Sequence, residues 1–455
     1  MPHNLNDQLK KMQSLPPLNF ESRVKHLKQL AAVIKTHQAE IIKAINQDFS
    51  HRCEEESLLA EVMVCLDEIH HTLKHVKQWV RAKTWHSDWK FYPSKCSVSP
   101  QPKGVVGIMA PWNYPFNLVI EPLVAAIAAG NRVMVKPSEI TSKTAELIEQ
   151  LLAKVFSKDE VYVVLGDIKV ANQFSCLPLD HILFTGSTQV GKIIMRNASE
   201  HLTPLTLELG GKSPVLIGKN YALKKAAKSI VKGKWFNAGQ TCLAPDYILI
   251  ESDRIDELLS CLKREIADAY PDPGNNPDYS CIVNPHHHQR LTELLAGIPE
   301  QSIHTIEPVN KGQKISPTLV VDPPLAHPIM QTEIFGPLLP IISCKNLASA
   351  IDFVNQRDKP LTLYLFSNDQ KTIQTVREQT HSGSLAINET LVHFAQPNLP
   401  FGGIGKSGMG SYHGYQGFVA MSHMKSVYYQ SKLNLNDLAR APFTALKKSF
   451  IKLIN

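Results

Sequence analysis

The chain has 455 residues, with 48 lysines and arginines against 41 aspartates and glutamates, a net charge of +7, 43% hydrophobic residues and 20% charged ones. That length supports two or three domains, each with its own core, and the composition is that of an ordinary globular protein. The small, dispersed positive charge leaves no nucleic-acid footprint beyond a weakly basic C-terminal tail, and no apolar run is long enough to argue for a membrane span.

In chain order, Leu27, Leu30, Ile34, Ile41 and Ile45 recur at helical spacing and predict an amphipathic helix over Phe20 to Phe49. A second is predicted from Glu54 to Val80, with Leu59, Val62, Leu66, Ile69, Leu73 and Val76 on one face. Between Trp85 and Pro102 a polar, proline-bearing stretch reads as a bridging or hairpin segment. Strands at Val105 to Met109, Arg132 to Val135, Val161 to Leu165, His181 to Phe184 and Leu205 to Glu208 then alternate with helices such as Leu118 to Ala129 and Ser142 to Val155. A second βα series has strands at Pro214 to Ile217, Tyr247 to Ile250, Thr318 to Val321, Leu338 to Ile342, Leu361 to Phe366 and Ser384 to Asn388. Strand and helix alternating in this way predict an α/β fold of parallel, doubly wound sheets, with the boundary at Glu208 to Lys212 and ligands at the strands' carboxyl ends. Near the end, Leu446, Phe450, Ile451 and Leu453 interleave with Lys447, Lys448 and Lys452, a pattern read as a frayed or packed terminal segment in preference to a membrane-surface helix. The eight cysteines show no CxxC pair or zinc-ligand spacing, and the first twenty residues lack the apolar core of a signal peptide, so a reducing, cytoplasmic setting is expected.

Five stretches carry chemistry. FNAGQTCLAP, from Phe236, places small Ala238 and Gly239 ahead of Cys242, so the backbone can pass close to another molecule and leave the thiol open; a lone cysteine is otherwise as readily a small buried hydrophobe. In LELGGKSP, from Leu207, Glu208 ends an apolar strand where a carboxylate is costly to desolvate without a purpose, which favours a general base over a structural salt bridge. PWNYPF, from Pro111, offers Asn113 as an oxyanion donor beside the Cys242 backbone N–H, or as an Asx turn. EIFGP supplies Glu333, a second carboxylate candidate or a surface turn. In FTGSTQVG, from Phe184 to Gly191, a strand ending near Gly186 and Ser187 leads into a helix whose free N–H groups suit a pyrophosphate, although the motif is not GxGxxG and an ordinary cap remains open. His286, His287 and His288 diverge and have no acidic partner at ligand spacing, so they read as a solvated helix start and no metal is expected.

In type and chain order these segments resemble the motifs of the aldehyde dehydrogenase superfamily, over nearly the whole chain to PFGGIGKSGMGSYHG at Pro400. DFSHRCEEESLLAEV from Asp48 and NAGQTCLAPDYIL from Asn237 are most similar to its class-3-like branch and to bacterial coniferyl aldehyde dehydrogenases. The resemblance implies a variant Rossmann cofactor domain (1–84 and 104–207), a catalytic domain (208–388), bridging or oligomerisation β segments (85–103 and 389–430) and a tail (431–455). It implies oxidation of an aromatic or medium-chain apolar aldehyde through a thiohemiacetal and thioester on Cys242, with Glu208 activating water. It assigns NAD(P) to Trp112, Lys136, Glu139, Gly186, Ser187, Gly191, Glu333, Phe335 and Phe401, and Glu139 favours NAD, with NADP also accepted, by repelling a 2′-phosphate. A homodimer is implied. The rival readings are acyl transfer to coenzyme A, against which Glu208 speaks, and a silent binding protein on the same fold.

Overall fold

The computed structural model describes residues 5–309, 312–432 and 435–453. The stretch expected as one helix from Phe20 forms two, Phe20–Thr36 and Gln38–Asp48, because His37 leaves helical geometry (φ −106°, ψ 19°). The helix expected from Glu54 runs as Glu54–Ser57, a π turn Leu58–Met63, and Val64–Trp79. The wider turn shifts the helical register, so Leu59, expected on the packed face, is exposed while Glu61 is fully buried. Val62, Ile69 and Val76 do pack inward, with Leu27, Leu30 and Ile34, over the all-buried helix Asn117–Ala129.

The hairpin segment forms β1 (Lys83–Trp85) and β2 (Lys95–Pro102). The first series gives β3 (Val105–Met109), β4 (Arg132–Lys136), β5 (Val161–Val163), β6 (His181–Gly186) and β7 (Leu205–Leu209). The second gives β8 (Pro214–Ile217), β9 (Tyr247–Glu251), β10 (Ile303–Thr305), β11 (Thr318–Val321), β12 (Leu338–Cys344), β13 (Thr362–Phe366) and β14 (Ser384–Ile387). The C-terminal region adds β15 (Gly408–Met409) and β16 (Ser422–Tyr429).

One sheet has the order β15-β7-β6-β3-β4-β5, parallel except for β15. The chain builds outward from β3 to β5, then returns to the other side of β3, so the order reverses between β3 and β6. A ligand crevice forms at the carboxyl ends of strands flanking such a reversal. The second sheet has the order β10-β11-β12-β9-β8-β13-β14, parallel except for β10. Residues 210–213 carry the chain from β7 in one sheet to β8 in the other. A third sheet, β1-β2-β16, exposes Trp85, Tyr428 and Tyr429. The tail forms an outlying helix, Ala445–Leu453, against the turn Leu435–Ala439, with Leu446 exposed and Phe450 and Ile451 half-buried; the side chain of Leu453 lies outside the described residues. Among the described residues no helix is long and apolar enough to cross a membrane.

Candidate active site

The cysteine loop begins where the helix Leu223–Trp235 stops, and Asn237, Ala238 and Gly239 all take left-handed backbone angles (φ 52°, 49° and 76°). Two of the three carry a side chain, and each such residue costs about 1 kcal/mol, so the turn needs outside support. Buried Gln240 supplies part of it, donating to the carbonyls of Asn237 (3.0 Å) and Cys281 (2.9 Å) and accepting from Val283 N (2.9 Å). Glu56 supplies more, accepting from Asn237 N at 2.9 Å and from Ser280 Oγ at 2.9 Å. A β-carbon on Gly239 would overlap the carbonyl of Gly336, so the glycine lets the segment carrying Glu333 pass beside the loop. Asn113, also buried, donates from Nδ2 to the Gln240 carbonyl at 3.1 Å, which ties the end of β3 to the cysteine loop. It is therefore not spent on a local Asx turn.

Glu208 lies in β7 between Thr185 of β6 and Gly408 of β15, and neither carboxyl oxygen has a hydrogen-bond partner among the described residues. Burial holds its carboxyl well above the usual range. Burial, then the Glu333 and Glu208 charges, push the Cys242 thiol up to about 12. Glu333 is raised to about 8, by burial and then by Asp246, against the Gly211 N–H and the cations Lys212 and Arg290. Its carboxylate fills the space left open by Gly210. Its loop hangs from Asp246, which accepts from Ile334 N at 2.9 Å and pairs with Lys212, itself bonded to the carbonyls of Ile329 (2.7 Å) and Thr332 (2.9 Å).

Cys242 keeps some accessible surface, and two cavities meet at it. One, of about 240 Å³, is lined by Trp112, Asn113, Gly186, Ser187, Glu208 and Glu333, among others. The other, of about 310 Å³, is lined mainly by apolar side chains, including Leu59, Tyr114, Leu118, Phe236, Leu391 and Phe394. Tyr114 Oη bonds Thr241 Oγ1 at 2.6 Å, so its polar end is already satisfied. The first cavity opens at the reversal between β3 and β6. Ser187 caps the helix Thr188–Ser199 by accepting from Val190 N at 3.3 Å while lining that cavity, so the cap reading and the cavity reading describe one arrangement. Trp112 meets Phe335 edge-on at 5.3 Å, and Phe335 holds a left-handed φ of 50°.

Four of the expected cofactor residues stand outside the cavity. Gly191 packs against the sheet, where a β-carbon would lie 2.8 Å from Leu209, so its smallness serves helix–strand packing. Phe401 is buried between Phe394 (4.9 Å) and His413 (5.3 Å), behind the apolar wall to which Phe394 belongs. Lys136 is the last residue of β4 and Glu139 lies just beyond it; the buried lysine donates to Pro137 O at 2.7 Å and to Glu139 at 3.4 Å, and burial lowers its pKa. The histidine run needs a correction. Asn284 caps the helix Pro285–Glu293 through His287 N, which turns His287 against Trp112 (4.7 Å) and into the cavity, beside Arg290; only His286 is solvated as expected, with His288 half-buried. Burial, then Arg290, lower His287 to about 4, so it stands neutral.

Comparison with known proteins adds three likenesses to a family match. The model described as "Aldehyde dehydrogenase family" matches residues 6–427. A protein of Pseudomonas aeruginosa named "Probable coniferyl aldehyde dehydrogenase" is 45% identical over 96% of this chain and 92% of its own. The mouse "Aldehyde dehydrogenase, dimeric NADP-preferring" is 41% identical over 92% of this chain and 91% of its own. The solved structure titled "Substrate bound state of Staphylococcus Aureus AldH" superposes with a TM-score of 0.95 at 38% identity, covering 99% of both chains.

Proposed function

The chain belongs to the aldehyde dehydrogenase family and oxidises an aldehyde with NAD or NADP, and from that premise we propose that Cys242 is the nucleophile, Asn113 the oxyanion donor and Glu208 the base that activates water. The observation that carries this reading is that Cys242 is the one residue shared by the polar and the apolar cavity. The aldehyde enters from the apolar side, and the thiolate of Cys242 attacks its carbonyl carbon to form a thiohemiacetal. Asn113 Nδ2 and the Cys242 backbone N–H donate to the oxyanion that develops. Bound NAD(P) would supply the acceptor for the hydride that the thiohemiacetal carbon must lose, and the thioester left on Cys242 is cleaved by a water whose proton passes to Glu208, once that carboxyl has lost its own.

The polar cavity fits the cofactor's nicotinamide end: its wall carries unpartnered Glu208 oxygens, Glu333 and an aromatic pair, Trp112 and Phe335, and it adjoins a helix N-terminus. Bound there, NAD(P) would supply a hydride acceptor and a positive charge beside the thiol. Gly186 and Ser187 would hold its phosphates, Glu333 and His287 its nearer ribose, and Lys136 with Glu139 the farther one. NAD is the preferred form, because the half-exposed Glu139 carboxylate repels a 2′-phosphate while Lys136 at 3.4 Å tempers that repulsion enough for NADP to bind.

The apolar pocket suits an aromatic aldehyde such as coniferyl aldehyde, or a medium-chain one, in keeping with the name of the Pseudomonas aeruginosa relative. We read 1–84 with 104–207 as the cofactor domain, 208–388 as the catalytic domain, and the aromatic face of the β1-β2-β16 sheet as the seat of a second copy in a cytoplasmic homodimer. The test is reduced-cofactor absorbance with NAD or NADP and aldehydes from acetaldehyde to coniferyl aldehyde. Cys242→Ala should abolish turnover, and Glu208→Gln should release one equivalent and stall; a Cys242→Ala enzyme that still turns over overturns the reading.

A further inference from the structure

Arg52 touches neither cavity and takes part in no step above, yet it is fully buried where three stretches of chain meet. Its Nη1 donates to Glu61 Oε1 at 2.8 Å and to the carbonyl of Asn113 at 3.0 Å. Nε and Nη2 have no hydrogen-bond partner among the described residues, and the guanidinium lies over the rings of Tyr114 (4.7 Å) and Phe49 (5.1 Å). Glu61, delivered inward by the π turn, accepts at Oε2 from Phe116 N (3.1 Å) and Asn117 N (2.8 Å), where the next helix begins. The same Asn113 carbonyl accepts a second bond, from Asn237 Nδ2 at 3.1 Å. One peptide oxygen is thus clamped from the N-terminal helices on one side and from the cysteine loop on the other.

A buried cation that leaves two of its nitrogens unpaired is a poor device for stability, since an apolar side chain of similar volume often does as well or better. What Arg52 does gain is a direct bond to the backbone carbonyl of Asn113, a residue that lines the same cavity as Cys242. Asn113 Nδ2 has one hydrogen committed to the Gln240 carbonyl, so the direction of its other hydrogen follows the setting of that peptide plane. We propose that Arg52, oriented by Glu61, is a positioning residue for the oxyanion site, holding the Asn113 peptide so that its amide and the Cys242 N–H converge on one oxygen. The inference rests on the reading of Asn113 as the oxyanion donor.

A displacement of about 1 Å in such a group costs on the order of 100-fold in rate. The experiment compares single-turnover formation of reduced cofactor with alkylation of Cys242 by iodoacetamide, which builds no oxyanion, in the cofactor-saturated enzyme. Arg52→Met should slow the first about 100-fold while the second, and the cofactor Kd, stay within about twofold. Arg52→Lys, which keeps the charge for Glu61 without the planar fork, should recover part of the rate and gives the same comparison if the methionine variant fails to fold. Arg52→Met combined with Asn113→Ala should be no slower than Asn113→Ala alone, because both remove one interaction. Additive losses, a parallel fall in alkylation, or wild-type rates in both Arg52 variants overturn the proposal. A wild-type rate in Asn113→Ala instead overturns the oxyanion reading itself.

Discussion

Without cofactor the Cys242 thiol is held at about 12 against an ordinary 9.0, by burial first and then by the neighbouring Glu333 and Glu208 charges. Three pKa units leave about a thousandth of the thiolate that an ordinary cysteine has at pH 7.5. A more basic thiolate is also a better nucleophile, and a Brønsted coefficient of about 0.4–0.5 over three units restores a factor of roughly 15–30. Apo Cys242 should therefore react with iodoacetamide about 30–60 times more slowly than an ordinary exposed thiol. Exposed Cys176, in the same chain, serves as the reference, with both sites followed by peptide mass spectrometry. The logarithm of the Cys242 rate should climb one unit per pH unit up to about pH 10 without levelling, and Glu333→Gln should raise it, because it removes the larger of the two charges. Apo Cys242 reacting as fast as Cys176 at pH 7.5, or levelling below pH 9, would refute the electrostatic account.

Gly239→Ala forces a side chain into a left-handed position and onto the Gly336 carbonyl; it should lower stability by about 2 kcal/mol, seen as a reduced Tm, and slow turnover by shifting the cysteine loop. Glu56 is raised to about 7 by burial, against the Arg52 charge, so the folded chain keeps a proton that the unfolded chain loses near 4.5. Its contribution is complete below pH 4.5 and fades as pH rises to about 7, and Glu56→Gln should flatten the dependence of Tm on pH in that window by up to about 3 kcal/mol. Leu59→Trp narrows the mouth of the apolar pocket and should raise KM for coniferyl aldehyde about tenfold while leaving acetaldehyde unchanged, read from steady-state kinetics.

Much of the architecture was legible because local pattern and tertiary demand agree. The strands β3 to β9 and β11 to β14 are short apolar runs between turns, and their alternation with helices announces parallel sheets. β10, β15 and β16 are antiparallel edges set by distant partners, with no local periodicity to announce them. At the site, Cys242, Glu208, Asn113 and Glu333 stood out because each is a reactive or polar residue in an apolar or glycine-rich setting. His287 did not, since three consecutive histidines look solvated until the Asn284 cap fixes which one turns inward. Arg52, Glu56 and Glu61 were hidden for a related reason: a run of charges beside a helix start reads as a wet face, and only the π turn with its three converging chains puts them in the interior. Phe401, an aromatic near the site, is packed against Phe394, a contact between distant segments that no local pattern announces.

The two cavities touch through one side chain, and this divides the molecule into two territories that can drift apart. Substitutions at Leu59, Ala60, Leu118, Leu391 and Val392 redraw one wall without meeting the other, so descendants could trade one class of aldehyde for another while leaving the polar cavity unchanged. Inhibitors divide along the same line: a hydrophobic blocker and a nucleotide mimic can occupy the protein together, and the only competitor for both is a reagent that captures the sulfur.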